Sequence, residues 1–204
     1  IGNLSRKGSL DNLNWLKKQH PITHYKTNIQ DEKAVEDVFR KENTIGAVIH
    51  LAAQVAVTTS VSNPRDDFEI NALGTLNMLQ AVRHFCPQAP FINASNNKVY
   101  GLLHNVKILE GLQRYEIEKK GGINESEPLD FHSPYGCSKG SADQYVIDYA
   151  RIYDLNTVSV RQSCIYGERQ FGVEDQGWLA WFIIATVLGR KISIYGDGKQ
   201  VRDV

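Results

Sequence analysis

The stretch SPYGCSK, residues 133–139, places a tyrosine and a lysine four positions apart, at Tyr135 and Lys139. Residues with this spacing lie on one face of a helix, so the phenol and the ammonium would meet the same ligand. A free tyrosine ionises near pH ~10, and a neighbouring positive charge favours the phenolate and lowers that pKa. The pair is therefore a candidate catalytic acid/base pair, although this spacing also arises by chance. The chain contains nine tyrosines, so this prediction depends on the elements that surround the pair.

Apolar segments alternate with amphipathic ones along the chain, which predicts a parallel sheet with helices on its faces. Strands are predicted over residues 23–29, 46–53, 90–95, 156–163 and 191–196, and helices over 31–43, 64–85, 133–153 and 178–189. Segment 46–53 is a continuous apolar run, typical of a strand buried on both faces. Ser133 and Pro134 supply the N-cap and the first-turn proline of the helix that carries Tyr135. Residues 101–130 form a polar insertion. We expect a doubly wound, Rossmann-like α/β fold with ligands at the carboxyl ends of its strands.

A sheet of this kind normally begins with a strand and a glycine-rich turn, and the sequence contains no such turn. The stretch GDGKQV, residues 196–201, has Val201 where the third glycine belongs, and no helical pattern follows it. Residues 1–8 are typical of the end of a second strand. We therefore expect a fold that lacks its first strand. Residues 1–170 would form a partial dinucleotide-binding domain, and 171–204 the start of a small substrate-binding region.

Composition excludes several classes of function. Lys plus Arg and Asp plus Glu both number 23, so no general affinity for nucleic acid or for an anionic membrane is indicated. The apolar run 178–189 is about half the ~20 residues that span a bilayer, and it is interpreted as a buried helix. Cys86, Cys137 and Cys164 are odd in number and lack metal-ligand spacing, which favours a reduced, cytoplasmic protein without a metal site. Of the three, Cys164 is the one expected to line a site.

Eight motifs occur in order along the chain: IHLAAQ, NALGTLN, NKVYG, SPYGCSKG, RQSCIYG, RQF, DQGWLAWF and YGDGKQVRDV. Through them the chain resembles the extended short-chain dehydrogenase/reductase family of nucleotide-sugar epimerases and dehydratases. The resemblance implies an enzyme that uses NAD, a nucleotide-sugar substrate, and a homo-oligomer, either a dimer or a tetramer. It is greatest to members that invert C2 of a CDP-linked 3,6-dideoxyhexose through a transient ketone. Hydride would leave the carbon whose hydroxyl loses its proton to Tyr135, and it would return to the other face.

Positions that match the motifs imply site residues. The implied catalytic residues are Tyr135, Lys139 and Asn96. The implied cofactor-binding residues are Asn3, Leu4, Ser5, Arg6, Asn28, Ile29, Leu51, Ala52, Ala53, Gln54, Asn71, Ser95, Tyr135, Lys139, Gln162 and Ser163. The implied substrate-binding residues are Thr58, Thr59, Asn97, Lys98, Arg169, Gln176, Trp178, Gln200 and Arg202, with the two arginines suited to a diphosphate.

The chain departs from the family's pattern at three positions. Asn96 stands where a Ser or Thr usually bonds the reacting oxygen, and an amide can donate and accept hydrogen bonds but cannot relay a proton through a hydroxyl. Gly2 stands where an acidic residue usually accepts bonds from the adenosine ribose, and with Arg6 and Lys7 nearby a 2′-phosphorylated cofactor becomes less unfavourable. Asn28 replaces an Asp that often faces the adenine.

Two alternatives remain open. One is a relative that dehydrates or epimerises another sugar nucleotide, although Asn97 and Lys98 stand where such a dehydratase carries an Asp-Glu pair. The other is a non-catalytic binding protein with the same fold, which Asn96 and Gly2 would permit. The intact Tyr135/Lys139 pair speaks against the second alternative.

A sheet without its central first strand would expose two edges and an apolar core, so we expect the working protein to be longer than these residues. Mass spectrometry combined with a cofactor-binding measurement tests this expectation. Full NAD binding by a protein with the mass of these 204 residues alone would contradict it.

Overall fold

The computed structural model describes residues 1–42, 44–118 and 121–204. Its helices are Ser9–Gln19 (α1), Glu32–Lys41 (α2), Val57–Ser62 (α3), Pro64–Phe68 (α4), Gly74–Phe85 (α5), Ser133–Tyr153 (α6) and Trp178–Val187 (α7), with a π-helical turn at Glu69–Leu73 and a 3-10 turn at Asn97–Tyr100. Its strands are Val48–His50 (β1), Phe91–Asn96 (β2), Ile108–Glu110 (β3), Tyr115–Ile117 (β4) and Thr157–Gln162 (β5). Asn43, at the end of the predicted helix 31–43, lies outside the described residues. So do Lys119 and Lys120, within the predicted insertion.

A parallel sheet forms the centre of the fold, in the order β1-β2-β5. Val48 pairs with Phe91, and Phe91 pairs in turn with Thr157. The α/β class with a parallel sheet is therefore confirmed. Because the strands run in one direction, the residues that follow each of them emerge at the same edge.

The hydrophobic core lies on one face of this sheet. Helix α2 presents Val35, Val38 and Phe39, an i, i+3, i+4 set typical of an amphipathic helix, and all three are buried. Its Asp31 cap accepts a hydrogen bond from the Ala34 N–H at 3.0 Å. These side chains join the buried residues of α5 and α6 around the fully buried Phe91. Helix α6, which carries Tyr135 and Lys139, is thus packed on the same core as β2.

The predicted helix 64–85 forms, with one irregularity. Pro64 occupies its first turn and Asn63 caps it. Between α4 and α5 the helix widens into the π-helical turn Glu69–Leu73, which contains Asn71. Such turns are often found at functional sites.

Three strand predictions are wrong. Residues 1–8 and 23–29 form no strand, and the two segments meet through a hydrogen bond from the Gly2 N–H to the Tyr25 carbonyl oxygen. Residues 191–196 pair with no strand in the described part of the chain, and Ile194 is exposed there. An extended segment becomes a strand only when a neighbour satisfies its row of N–H and C=O groups, and these segments have no such neighbour.

The predicted strand 46–53 is shorter than expected, because only Val48–His50 pair with β2. Its burial on both faces is also wrong, since Ile49 is 64% and Leu51 68% exposed. Helices α2, α5 and α6 share the core on the face that carries Val48, and no described helix packs over Ile49.

Several elements were not predicted. Helix α1 buries no residue, so its apolar pattern is weak. Gly8, with φ 83°, precedes it, and a β-carbon there would overlap the ring of Phe171. Helix α3 is short, and the hairpin of β3 and β4 lies within the polar insertion 101–130. Across the described ranges, no helix has both the length and the apolar character needed to cross a membrane.

A buried ion pair holds α6 against β5. Asp143 of α6 is fully buried, and its Oδ2 accepts from Arg161 Nη2 at 2.8 Å. Arg161 Nη1 also donates to the Tyr100 hydroxyl at 3.1 Å. Burial opposes ionisation of Asp143, yet hydrogen bonds from Arg161 and Ser159 hold the pKa of its carboxyl below the usual value. The Asp143–Arg161 pair therefore stabilises the fold at pH values above ~3.9, the pKa of an aspartate in the unfolded chain. This stabilisation is lost as the pH falls through the lower pKa that Asp143 has in the folded protein.

Replacing Arg161 with Met should lower the free energy of unfolding at pH 7 by about 3–5 kcal/mol, because it leaves a buried carboxylate unpaired. Urea denaturation measures this change. Lys33→Met is the control, because it breaks the exposed Lys33–Asp37 pair and should leave the midpoint unchanged. Equal changes in the free energy of unfolding for the two substitutions would contradict a stabilising role for the buried Arg161–Asp143 pair.

Candidate active site

A cleft of about 760 Å³ opens where the carboxyl ends of β1, β2 and β5 meet. The predicted site residues that line it are Arg6, Leu51, Ala53, Thr58, Ser95, Asn96, Asn97, Lys98, Tyr135, Lys139, Gln162, Ser163, Arg169, Gln176, Trp178 and Arg202. Cys164, the cysteine expected to line a site, also lies on its wall. Residues predicted for the cofactor and for the substrate thus share one cleft.

Tyr135 enters this cleft from the first turn of α6. Ser133 has φ 65°, which is not helical, and its Oγ accepts from the Gly136 N–H at 3.3 Å. This is the contact of an N-cap, although the helix bounds place the cap one residue earlier, at His132. Ser60 Oγ of α3 accepts from the Tyr135 N–H at 3.1 Å. The two hydroxyls satisfy N–H groups that a helix start leaves free, so they hold this turn in place.

Asn96, the last residue of β2, contacts the Tyr135 phenol directly. Its Nδ2 donates to the phenolic oxygen at 2.9 Å, while its Oδ1 accepts from the Lys98 N–H at 2.7 Å. The Lys98 N–H can only donate, so it assigns Oδ1 to that side and turns the amide nitrogen toward Tyr135. Asn96 therefore supplies a hydrogen-bond donor to the phenol.

The phenol of Tyr135 is a much weaker acid than the sequence predicted. Burial, and then the negative charge of Asp67, raise its pKa to about 12, against the hydrogen bond from Asn96, which lowers it. The expected lowering of this pKa depended on the positive charge of an oxidised nicotinamide as well as on Lys139, and in the protein alone the loss of water around the phenol outweighs the favourable contacts.

Lys139 is buried, with 5% of its surface exposed, and its ammonium donates to the Ala94 carbonyl oxygen of β2 at 2.6 Å. Burial lowers its pKa to about 8, although the carboxylates of Asp143 and Asp67 raise it. At pH 7 the side chain is therefore still largely protonated, and it lines the cleft as a donor.

Behind Tyr135 and Lys139 lies a buried polar network. The Asp67 carboxylate accepts from Gln54 Nε2 at 2.8 Å and from Ser138 Oγ at 2.5 Å. Asn71 Oδ1 accepts from the Gln54 N–H at 2.9 Å. Gln54 and Asn71 were predicted to bind the cofactor, and the structure places them in this network behind the cleft.

On the substrate side, the guanidinium of Arg169 is already engaged by α1. Its Nε donates to Asn12 Oδ1 at 3.0 Å, and its Cζ lies 4.8 Å from the ring centroid of Trp15. Trp178 Nε1 and Gln170 Oε1 are buried and have no hydrogen-bond partner among the described residues. Buried polar groups normally have partners, so this donor and this acceptor are available to a polar ligand.

Other predicted residues lie away from the cleft wall. Ile29 is buried in the hydrophobic core, and Asn28 Nδ2 donates to Gln30 Oε1 at 2.7 Å. The predicted residues that do not line the cleft are Asn3, Leu4, Ser5, Asn28, Ile29, Ala52, Gln54, Thr59, Asn71 and Gln200. In the part of the chain that the structure describes, no three metal-ligating side chains come together.

The sequence analysis missed three residues that support the first turn of α6, namely Ser60, Asp67 and Ser138. A signal was present for two of them. Asp67 precedes Asn71 by four positions in a predicted helix, and Ser138 directly precedes Lys139. For Ser60, in an unpredicted helix, we find no such signal.

Comparison with known proteins gives concordant results. The sequence model of the NAD dependent epimerase/dehydratase family matches residues 2–204. The CDP-paratose 2-epimerase of Salmonella typhi is 49% identical over 99% of this chain and 61% of its own length. The chain thus spans about three fifths of that curated relative.

Two solved structures are similar in fold. The UDP-glucose 4-epimerase of Thermotoga maritima with UDP-glucose is 29% identical, with a TM-score of 0.79 over 100% of this chain and 59% of the other. The UDP-glucose 4-epimerase of Thermus thermophilus in complex with NAD is 30% identical, with a TM-score of 0.70 over 84% of this chain and 50% of the other. The family match covers nearly every residue, and the parallel sheet and cleft agree with it. The chain belongs to the NAD dependent epimerase/dehydratase family.

Proposed function

We propose that this chain carries the catalytic centre of a nucleotide-sugar epimerase that inverts C2 of CDP-paratose to give CDP-tyvelose. The observation that carries the proposal is the convergence of Tyr135, Lys139 and Asn96 in one cleft at the ends of parallel strands. The 49% identity to a CDP-paratose 2-epimerase supports the choice of sugar and nucleotide.

The residues present fit the nicotinamide half of NAD. Lys139 presents an ammonium at the cleft with three N–H groups, one of which meets Ala94 O, so donors for ribose hydroxyls are at hand. Ala53 and Ser95 are small and leave room for a planar ring. The residues that would hold the cofactor at this cleft are Leu51, Ala53, Ser95, Lys139, Gln162 and Ser163. Held by these residues, NAD would supply the hydride chemistry that inversion of a sugar carbon requires, without net consumption of the cofactor.

Tyr135 moves the proton of the reacting hydroxyl. With a pKa of about 12 its phenol is protonated at pH 7, which is the form that donates a proton to a ketone oxygen. In the opposite direction, Tyr135 must accept the hydroxyl proton as a phenolate. The Asn96 N–H donates a hydrogen bond to the phenolic oxygen and thereby stabilises its negative charge. Asn96 thus acts as an oriented donor in the place of the family's hydroxyl.

The substrate side of the cleft supports a sugar diphosphate. Arg202 lies on its wall, and a guanidinium pairs well with phosphate oxygens. Trp178 Nε1 and Gln170 Oε1, the unpartnered donor and acceptor, suit the hydroxyls of a sugar. A dehydratase is less favoured, because Asn97 and Lys98 stand at the positions of its acid pair. Cytoplasmic location and a homo-oligomer remain predictions.

Incubation of the full-length protein with NAD and, separately, CDP-paratose and UDP-glucose tests the proposal by NMR of the sugar carbons. We expect inversion at C2 of the CDP sugar and a much slower reaction of the UDP sugar. Reaction of UDP-glucose alone would favour a 4-epimerase, and water loss would favour a dehydratase. Tight binding of both sugars without turnover would favour the non-catalytic alternative.

Tyr135→Phe should reduce turnover by at least ~10²-fold, because the proton carrier is lost while the ring remains. NAD affinity, measured by calorimetry, should be unchanged. Tyr145→Phe is the matched control, because Tyr145 lies on the same helix with its ring exposed. An unchanged rate in Tyr135→Phe would overturn the catalytic assignment.

Asn96→Ala should lower kcat by roughly 10- to 100-fold, because loss of the N–H donor raises the pKa of Tyr135 further. Steady-state kinetics measures this effect. Asn96→Ser retains a short donor and should recover part of the rate. A rate in Asn96→Ala equal to that of the unchanged protein would show that the 2.9 Å contact has no catalytic role.

A further inference from the structure

The proposed chemistry gives no role to the buried carboxylate of Asp67. Asp67 of α4 is only 1% exposed. Its Oδ1 accepts from Gln54 Nε2 at 2.8 Å and from Asn71 Nδ2 at 3.2 Å, and its Oδ2 accepts from Ser138 Oγ at 2.5 Å. A buried carboxylate is costly unless it is bonded on both oxygens, and here both are.

The three donors come from three different parts of the site. Gln54 lies in the segment after β1, Asn71 in the π-helical turn, and Ser138 in α6 directly before Lys139. They also contact one another, because Asn71 Nδ2 donates to Ser138 Oγ at 3.1 Å and Asn71 Oδ1 accepts from the Gln54 N–H at 2.9 Å. Asp67 therefore ties the wall of the cleft after β1 to the helix that carries the reacting groups.

Ser138 transmits this connection to Tyr135. Its Oγ lies 3.2 Å from the Tyr135 carbonyl oxygen, one turn earlier in α6. From the other side, Ser60 Oγ accepts the Tyr135 N–H. The first turn of α6 is thus contacted by two hydroxyls, those of Ser60 and Ser138. Of these two, the Ser138 hydroxyl is the one that donates to a carboxylate, that of Asp67.

The charge of Asp67 acts on both reacting groups. It raises the pKa of Tyr135, second to burial, and it raises that of Lys139. Burial raises the pKa of Asp67 itself, against the hydrogen bonds from Ser138 and Gln54.

The other ionisable groups around this site are few. Asp143 and His50 face Lys139, Asp66 neighbours Asp67, and Glu69 of the π-helical turn is paired with Arg65. Helix α3 carries no ionisable side chain.

We propose that Asp67 is a positioning residue that sets the first turn of α6 through Ser138 and the cofactor-side wall through Gln54, while its negative charge acts on the phenol of Tyr135. The second half of this role rests on the proposed function of Tyr135. The positioning of α6 and of the cofactor-side wall by Asp67 rests on hydrogen bonds alone and does not depend on the proposed function.

Two substitutions separate position from charge. Asp67→Asn keeps the size of the side chain but removes the charge and replaces one of the two acceptor oxygens with a donor, whereas Ser138→Ala removes the link to α6 and keeps the charge. Ser141→Ala is the matched control, because Ser141 Oγ bonds the Cys137 carbonyl at 2.8 Å on the exposed side of the same helix. Thermal unfolding verifies that each full-length variant is folded, and kcat and KM are then measured with CDP-paratose and NAD.

Both substitutions should lower kcat by roughly 10- to 100-fold with little change in KM, because a small displacement of reacting groups has this cost. Only Asp67→Asn should also shift the ionisation of Tyr135 to lower pH, by on the order of 0.5–1 pH unit. Carbon NMR of the tyrosine Cζ, with Tyr135 assigned from Tyr135→Phe, measures this shift. Ser141→Ala should change neither quantity.

An unchanged kcat in both variants, or an unshifted Tyr135 titration in Asp67→Asn, would overturn the proposal. If Asp67→Asn does not fold, Ser138→Ala decides the positioning role, and a wild-type kcat in that variant contradicts it. If the unsubstituted protein does not turn over any CDP sugar, the proposed function fails. In that case the titration of Tyr135 in Asp67→Asn still tests whether the Asp67 charge raises the pKa of Tyr135. A shift to lower pH supports this effect, and an unshifted titration contradicts it.

Discussion

The buried ammonium of Lys139 joins helix α6 to strand β2 and thereby positions the candidate site. Lys139 is almost fully removed from water, and such a charge persists only where partners compensate. Its partners are the Ala94 carbonyl, two residues before the end of β2, and the charges of the Asp143 and Asp67 carboxylates. The hydrogen bond to Ala94 joins α6 to β2 near the carboxyl end of that strand. Tyr135, one turn earlier on the same face, is thereby brought to the cleft.

Tyr135 is subject to two opposed influences. Burial and Asp67 make its phenol hold the proton more tightly, whereas the amide of Asn96 favours the ionised oxygen. In the proposed epimerisation, Tyr135 must both accept and donate the proton of the reacting hydroxyl. Neither the neutral phenol nor the phenolate can therefore be stabilised so strongly that the other form is out of reach. Asn96, which stands where the family usually has a Ser or Thr, is consistent with this requirement. Its amide N–H donates a hydrogen bond that stabilises the phenolate of Tyr135, although the amide cannot relay a proton as a hydroxyl can.

The sequence predicted what is local or periodic. The Tyr135/Lys139 spacing, the helix after Pro64 and the strands 90–95 and 156–163 follow from residue patterns, and each forms within about a residue or two. Segments 23–29 and 191–196 failed because a strand also needs a partner, which a local pattern cannot supply. The network around Asp67 could not be predicted, since Gln54, Asn71 and Ser138 meet only after three elements have packed. The rise in the pKa of Tyr135 follows from the same packing.

In the proposed reaction, one sugar carbon is oxidised and then reduced again within a single cleft, with Tyr135 carrying the proton of its hydroxyl. The most direct test uses CDP-paratose labelled with deuterium at C2, incubated with the full-length protein and NAD in ordinary water. We expect the CDP-tyvelose formed to retain the deuterium at C2, because in the proposed reaction the hydrogen leaves and returns as hydride without exchange with solvent. Loss of the label to water at C2 would contradict it and would indicate inversion by proton exchange.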